Sequence, residues 1–127
     1  MGELLGVTGK FISSNITLEK NLFYKIMGKN TTALISVGYR WDGVRSLYLV
    51  SNNENGDSAR VNIVIENTNG NNGYIGQFFR DSDGNIYLKG RGSSFVAQLI
   101  SFYGIVSLDK TEKAESELTL MNNNIVS

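Results

Sequence analysis

Apolar and polar positions alternate with a period of two along most of this chain. Val61, Ile63 and Ile65 interleave with Arg60, Asn62, Val64 and Glu66, the pattern of a strand that buries one face. Over residues 33–41 the odd positions are Ala33, Ile35, Val37, Tyr39 and Trp41. The even ones, Leu34, Ser36, Gly38 and Arg40, are smaller or more polar. The same reading predicts strands over 22–27, 46–51, 74–79, 85–91 and 95–103, with a short one at 105–108. Polar clusters separate them: Gly28-Lys29-Asn30, Asp42-Gly43, a run from Asn52 to Asp57, another from Asn67 to Gly73, and Asp81-Ser82-Asp83-Gly84. Asn and Gly suit these places because they enter left-handed backbone at low cost. Asp83-Gly84, set between apolar runs, is a strong hairpin signal, since the favoured two-residue turn needs positive φ at both central residues.

Seven or eight short strands at this spacing predict an all-β fold, an antiparallel β-sandwich of jelly-roll-like kind. No inter-strand segment carries a 3.6-residue period, so βαβ units are excluded, and no internal repeat supports a β-helix or propeller. Only 110–120 is helix-compatible; it is short and highly charged and reads as a solvated arm. The expected organisation is a lead-in over 1–21, the sandwich over 22–108 and a C-terminal arm over 109–127.

At 127 residues with 41% hydrophobic content, the chain suits one domain with one core. Twelve basic and twelve acidic residues cancel to a net charge of zero. A protein that grips phosphate backbones needs a basic surplus, so no nucleic-acid partner is expected. Neutrality also removes the repulsion that keeps copies apart, which leaves self-association open. With neither Cys nor His, disulfides, thiolate sites and His-activated nucleophiles are excluded. No catalytic residue, cofactor or metal is therefore expected. No stretch reaches the roughly 18 apolar residues of a membrane span. Residues 1–6 lack the basic and apolar regions of a signal peptide.

Three clusters remain as candidate chemistry. The acidic turn Asp81-Ser82-Asp83-Gly84-Asn85 suggests calcium, but an EF-hand loop counted from Asp81 needs Gly where Ile86 stands and Glu where Gly92 stands. A hairpin turn is the better reading. A glycosidase-type acid pair could be drawn from Asp42 with Glu54 or Asp57, or from Asp81 with Asp83, yet all sit in turns, where acids are usually solvated. Tyr39, Arg40, Trp41 and Arg45 carry the best binding signal, because planar rings stack on sugar faces while arginine donates to hydroxyls. The parity of Tyr39 and Trp41 with Val37 favours a core role for both. Adjacent Phe78 and Phe79 must point to opposite faces; if Phe79 shares a core face with Ile75, Phe78 and Tyr74 lie outside as a subunit contact.

The order Phe23-Tyr24-Lys25-Ile26, Thr32-Ala33-Leu34-Ile35-Ser36-Val37, Ala59-Arg60-Val61 and Arg80-Asp81-Ser82-Asp83-Gly84-Asn85-Ile86-Tyr87-Leu88 resembles distal modules of bacteriophage tail fibres and tailspikes. The likeness spans about 22–108. It implies a β-sandwich assembled as a homotrimer in the virion, without membrane insertion. Such a module recognises a host cell-surface glycan or other receptor, or caps and trimerises the fibre. A free-standing carbohydrate-binding domain is the further alternative. The resemblance assigns no receptor residue, and its matching positions, such as Ile86 and Leu88, read as structural.

Overall fold

The computed structural model describes residues 11–13, 17–41, 43–67, 75–92 and 94–122. Its strands are β1 (Phe11–Ser13), β2 (Phe23–Met27), β3 (Thr31–Tyr39), β4 (Arg45–Asn52), β5 (Arg60–Ile65), β6 (Phe78–Arg80), β7 (Ile86–Lys89), β8 (Phe95–Tyr103), β9 (Val106–Lys110) and β10 (Thr119–Leu120). They form two antiparallel sheets of five, in the orders β1-β8-β3-β4-β5 and β10-β6-β7-β2-β9. The fold is thus the all-β sandwich that the alternation predicts, with ten strands rather than seven or eight.

β3 holds the centre of the first sheet, in register with β4 from Thr31–Asn52 to Gly38–Arg45 and with β8 from Ala33–Ser101 to Tyr39–Phe95, the β8 register shifting by one residue between Thr32 and Ala33. Its Ala33, Ile35 and Val37 face Tyr48 and Val50 of β4 and Ala97 and Leu99 of β8, all buried. The opposing sheet contributes Tyr24, Ile26, Phe78, Ile86 and Leu88 to the same core. Alternating apolar residues on two inner faces are what a sandwich requires.

Residues outside 22–108 take part in both sheets. β1 pairs with β8, Phe11 opposite Ile100, and Leu18 lies in the core. The segment after β9 is largely solvent-exposed, as its charge suggests, but it is docked on the second sheet. The chain leaves β9 at one edge of the second sheet and returns as β10 at the other, pairing Thr119 with Arg80 and Leu120 with Phe79. On the way it makes a single 3-10 turn at Glu115–Glu117, and Leu118 packs on Phe23, Phe79 and Tyr87. This strap gives the second sheet a small outer core, where Phe23 and Phe79 meet edge to face at 5.0 Å. Four glutamate or lysine residues over 112–117 made the strap read as solvent-facing. Glu112, Glu115 and Glu117 do face solvent, and Leu118 alone turns inward to cover the three aromatic rings.

The same geometry reverses the expectation for Phe78. It is fully buried and meets Tyr48 edge to face at 5.1 Å, while Phe79 faces outward beneath the strap. Phe78 is therefore core and not an exposed subunit contact; Tyr74, its expected companion, lies outside the described residues.

Gly90 marks the tightest backbone approach at the start of β2. Its N–H donates to Leu22 O at 2.7 Å and its carbonyl accepts from Asn21 N. A Cβ here would lie 2.1 Å from Glu19 O and 2.9 Å from Leu18 backbone. Backbone cannot yield as a side-chain end can. Gly90→Ala is expected to cost about 2–3 kcal/mol, read as a lower urea midpoint at unchanged slope.

Candidate functional site

The hairpin joining β3 to β4 projects from one end of the sandwich and carries the predicted cluster. Trp41 is 79% exposed, so the parity that placed it in the core fails. β3 stops at Tyr39, and Trp41 sits in the turn beyond it, where strand alternation no longer sets direction. Its indole is nonetheless held. Nε1–H donates to Ser94 Oγ at 3.1 Å, and the Arg40 guanidinium lies 5.6 Å from the ring centroid. Arg40 N donates to Ser94 O at 2.8 Å, so Ser94 grips both residues of the tip.

Ser94 adopts φ 68, a left-handed conformation uncommon for a residue with a Cβ. That conformation just before β8 aims both of its oxygens at the hairpin. Backbone strain of this kind costs of order 1 kcal/mol and concentrates at functional sites. Sequence reasoning missed Ser94, since one serine among many carries no signal until the fold brings it beside Trp41.

Tyr39 is half-buried, opposite Phe95. Arg45 donates from Nη1 to Tyr39 O at 2.8 Å and to Val44 O at 3.0 Å. Its stem packs across Gly38, where a Cβ would meet it at 2.8 Å. Arg45 thus braces the hairpin, and Arg40 and Trp41 form its outer surface. Asp42 lies outside the described residues.

Two hollows flank the sandwich ends. At the Trp41 end a small one of about 160 Å³ is lined by Lys20, Asn21, Gln77, Lys89, Gly90 and Arg91. Arg91 donates to Gln77 Oε1 at 2.7 Å and Lys89 pairs with Glu115 at 3.0 Å. At the far end of β3 a wider, shallow depression of about 520 Å³ lies between the β2–β3 and β8–β9 turns, with Tyr103 and Ile105 exposed.

The acidic turn is a structural staple. Asp81 is buried, and its Oδ1 accepts from Asp83 N and Asn85 N, both at 2.9 Å. Oδ2 accepts from Asn85 Nδ2 at 3.1 Å and from the Tyr87 hydroxyl at 2.7 Å. A carboxylate offers about four lone-pair positions, so these four bonds fill its hydrogen-bonding capacity, and its charge is met by the Lys113 ammonium 3.9 Å from Oδ2. Burial works against the charge, but the bonds from Tyr87, Asn85 and Asp83 outweigh it and hold Asp81 below the usual aspartate range. Burial first, then the bond to this carboxylate, pushes the Tyr87 phenol well above its ordinary value. The turn also differs from the expected two-residue type. Asp81 N donates to Asn85 O, Gly84 N donates to Asp81 O, and only Gly84 has positive φ (87). Asp83-Gly84 closes a type I turn extended by a left-handed glycine. Of the other proposed acids, Glu54 and Asp57 are exposed in the β4–β5 turn, where Asp57 accepts from Asn53. Among the described residues no three potential ligands gather as a metal site, and no helix is long and apolar enough to cross a membrane.

No protein-family model matches the chain, and neither does any curated protein. Among solved structures, it is distantly similar to a tailspike protein, gp49 of Acinetobacter baumannii bacteriophage Fri1, described as a capsular polysaccharide depolymerase. The identity is 11% and the TM-score 0.43, over 81% of this chain and 19% of that one. The chain thus spans about a fifth of that protein's length, and a likeness this distant transfers neither residues nor activity.

Proposed function

We propose that this domain is a non-catalytic recognition module that binds a bacterial cell-surface glycan at the end carrying Trp41, as the receptor-contacting part of a phage tail fibre or tailspike. The observation that carries the reading is one aromatic ring, 79% exposed yet fixed by Ser94 and Arg40. An indole so exposed gains nothing for the core, and pinning it in advance removes the ordering cost that a mobile side chain would bring to binding. The open face offers stacking to a sugar ring, and Arg40 supplies donors for hydroxyls beside it. The tail-protein setting, with its virion location and host receptor, rests on the resemblance of the Phe23–Ile26 and Arg80–Leu88 segments.

The test is binding of the purified domain to arrays of bacterial surface glycans and to host cells. Trp41→Ala is expected to keep the melting temperature within about 2 °C, since the ring is outside the core, and to weaken binding by roughly thirtyfold, about 2 kcal/mol. Tyr103→Ala at the opposite end serves as the control and is expected to bind normally. Unimpaired binding by Trp41→Ala, or loss with Tyr103→Ala alone, would move the site to the far depression.

A further inference from the structure

The small hollow at the Trp41 end is lined largely by side chains that donate hydrogen bonds. Lys20 and Asn21 stand at the tip of a turn that Leu22 N closes onto Glu19 O at 3.2 Å. Lys89 ends β7, Arg91 lies two residues beyond it, and Gln77 immediately precedes β6. Lys89 N donates to Gln77 O at 3.0 Å, and Gly90 exchanges backbone hydrogen bonds with Asn21 and Leu22. Backbone bonds thus hold all three walls in place.

Charge in the hollow is unbalanced. Lys20, Lys89 and Arg91 bring three positive charges, and among the described residues the carboxylate paired with this set is Glu115, 3.0 Å from Lys89 Nζ. Glu19, beside Lys20 in sequence, is taken by Lys110 at 2.7 Å. Lys20 is exposed and has no ion-pair partner among the described residues. Arg91 donates through Nη1 to Gln77 Oε1 at 2.7 Å, a neutral acceptor that orients the guanidinium and leaves its charge unmet. Since that bond takes the oxygen of the Gln77 amide, Nε2 remains as a further donor. A chain of zero net charge therefore gathers a positive surplus at this one place.

Size and shape narrow the ligand. The hollow holds about 160 Å³. At about 30 Å³ for each water molecule, it admits a carboxylate and the ring edge that carries it, and not a whole sugar chain. A carboxylate also suits Arg91, whose planar fork meets two coplanar oxygens at once. Position ties the hollow to the indole. Gly92 N donates to Leu18 O, and Gly92 O accepts from Phe95 N, both at 2.9 Å. This turn carries Arg91 on one side and Ser94, which holds Trp41, on the other. Three peptide steps separate Arg91 from Ser94, at most about 11 Å between Cα atoms, a reach that a short oligosaccharide covers.

We propose that the hollow formed by Lys20, Gln77, Lys89 and Arg91 binds the carboxylate of an acidic sugar, so that the glycan stacked on Trp41 is a polyanion. The polyanionic nature of that glycan rests on the Trp41 platform; the anion site itself does not.

The probe is glucuronate, titrated into the whole chain while its amide and side-chain resonances are followed by NMR. Glucuronate is expected to shift Asn21, Gln77, Gly90 and Arg91 with a roughly millimolar Kd, weakened by added salt through screening. Its methyl ester, the same ring without the charge, is expected to bind roughly tenfold more weakly. Lys20→Glu, on an exposed side chain, is expected to keep Tm within about 2 °C and to weaken glucuronate binding roughly tenfold or more. Arg91→Gln is expected to act likewise, and Arg91→Lys, which keeps the charge but not the fork, to fall between. On glycan arrays, reducing the carboxylates of bound glycans to alcohols is expected to weaken binding about tenfold. Glucuronate that shifts none of these residues, or an ester that binds as well as the acid, overturns the proposal. So does normal glucuronate binding by both Lys20→Glu and Arg91→Gln, a preference for inorganic phosphate, or array binding confined to neutral glycans. Array binding that fails with Trp41→Ala while glucuronate goes unbound would remove the hollow and keep the platform. Glucuronate held in the hollow while Trp41→Ala binds arrays normally would do the reverse.

Discussion

Replacing Asp81 with alanine is expected to destabilise the domain by about 3–4 kcal/mol and to lower Tm by roughly 10–15 °C. The carboxylate takes four hydrogen bonds inside one hairpin, from Asp83 N, Asn85 N, Asn85 Nδ2 and the Tyr87 hydroxyl. Truncation leaves the buried Tyr87 hydroxyl and the turn amides without their acceptor. Unmade bonds at buried groups cost more than made ones contribute. The damage reaches further, because Asn52 of β4 donates at 2.7 Å to Gly84 O in this turn and at 2.9 Å to Gly28 O in the β2–β3 turn. The hairpin thus fastens one sheet to the other.

The same residue sets an acid limit. Asp81 titrates lower in the folded chain than the value of about 3.9 for an unfolded aspartate. Its contribution is therefore complete at pH values above the unfolded pKa and is lost as pH falls through the lower folded one. Urea midpoints between neutral pH and pH 2 are expected to drop for the native chain. Asp81→Asn, which has no charge to lose, is expected to show a shallower drop from a lower starting point. Parallel profiles for the two proteins would show that Asp81 is not the group responsible.

Phe78→Ala is expected to cost about 3–5 kcal/mol, the range for removing a fully buried aromatic ring. The ring fills the space between the sheets beneath Tyr48. Tyr48 is itself tied down, donating to Glu66 and accepting from Gly76 N at 2.9 Å. Burial, reinforced by the Glu66 bond, pushes its phenol well above the ordinary tyrosine range, so this network stays neutral at Tyr48. A cavity at Phe78 would leave the lower face of that ring unsupported. Phe78→Leu, which keeps most of the volume, is expected to cost less than about 2 kcal/mol. Were Phe78 a subunit contact, alanine there would instead alter the mass of the assembly and leave monomer stability intact. Denaturation midpoint and sedimentation of both variants separate these outcomes.

Period-two alternation over 33–39 and 46–51 located β3 and β4 because both strands are central in their sheet, and every inner residue has a neighbour to pack against. The same alternation misjudged β5, since a strand at the edge has core beneath only part of its length. It misjudged Trp41 because parity holds only while the strand continues. Local chemistry was legible in the Tyr39–Arg45 cluster and in the turn residues Asp81–Gly84. Ser94 was not, since its role comes from contact with a tip more than 50 positions earlier in the chain.

The sequence alone determined the two-layer β architecture, the places where the chain turns and the absence of thiol and imidazole chemistry. These depend on residue type and on neighbours within a few positions. The tertiary structure decided which of two adjacent aromatics entered the core, sending Phe78 inward and Phe79 beneath the strap. It also made a buried anchor of Asp81 and an exposed, fixed platform of Trp41. Face and exposure depend on which strands lie alongside and what crosses above them, and local periodicity does not encode those long-range pairings.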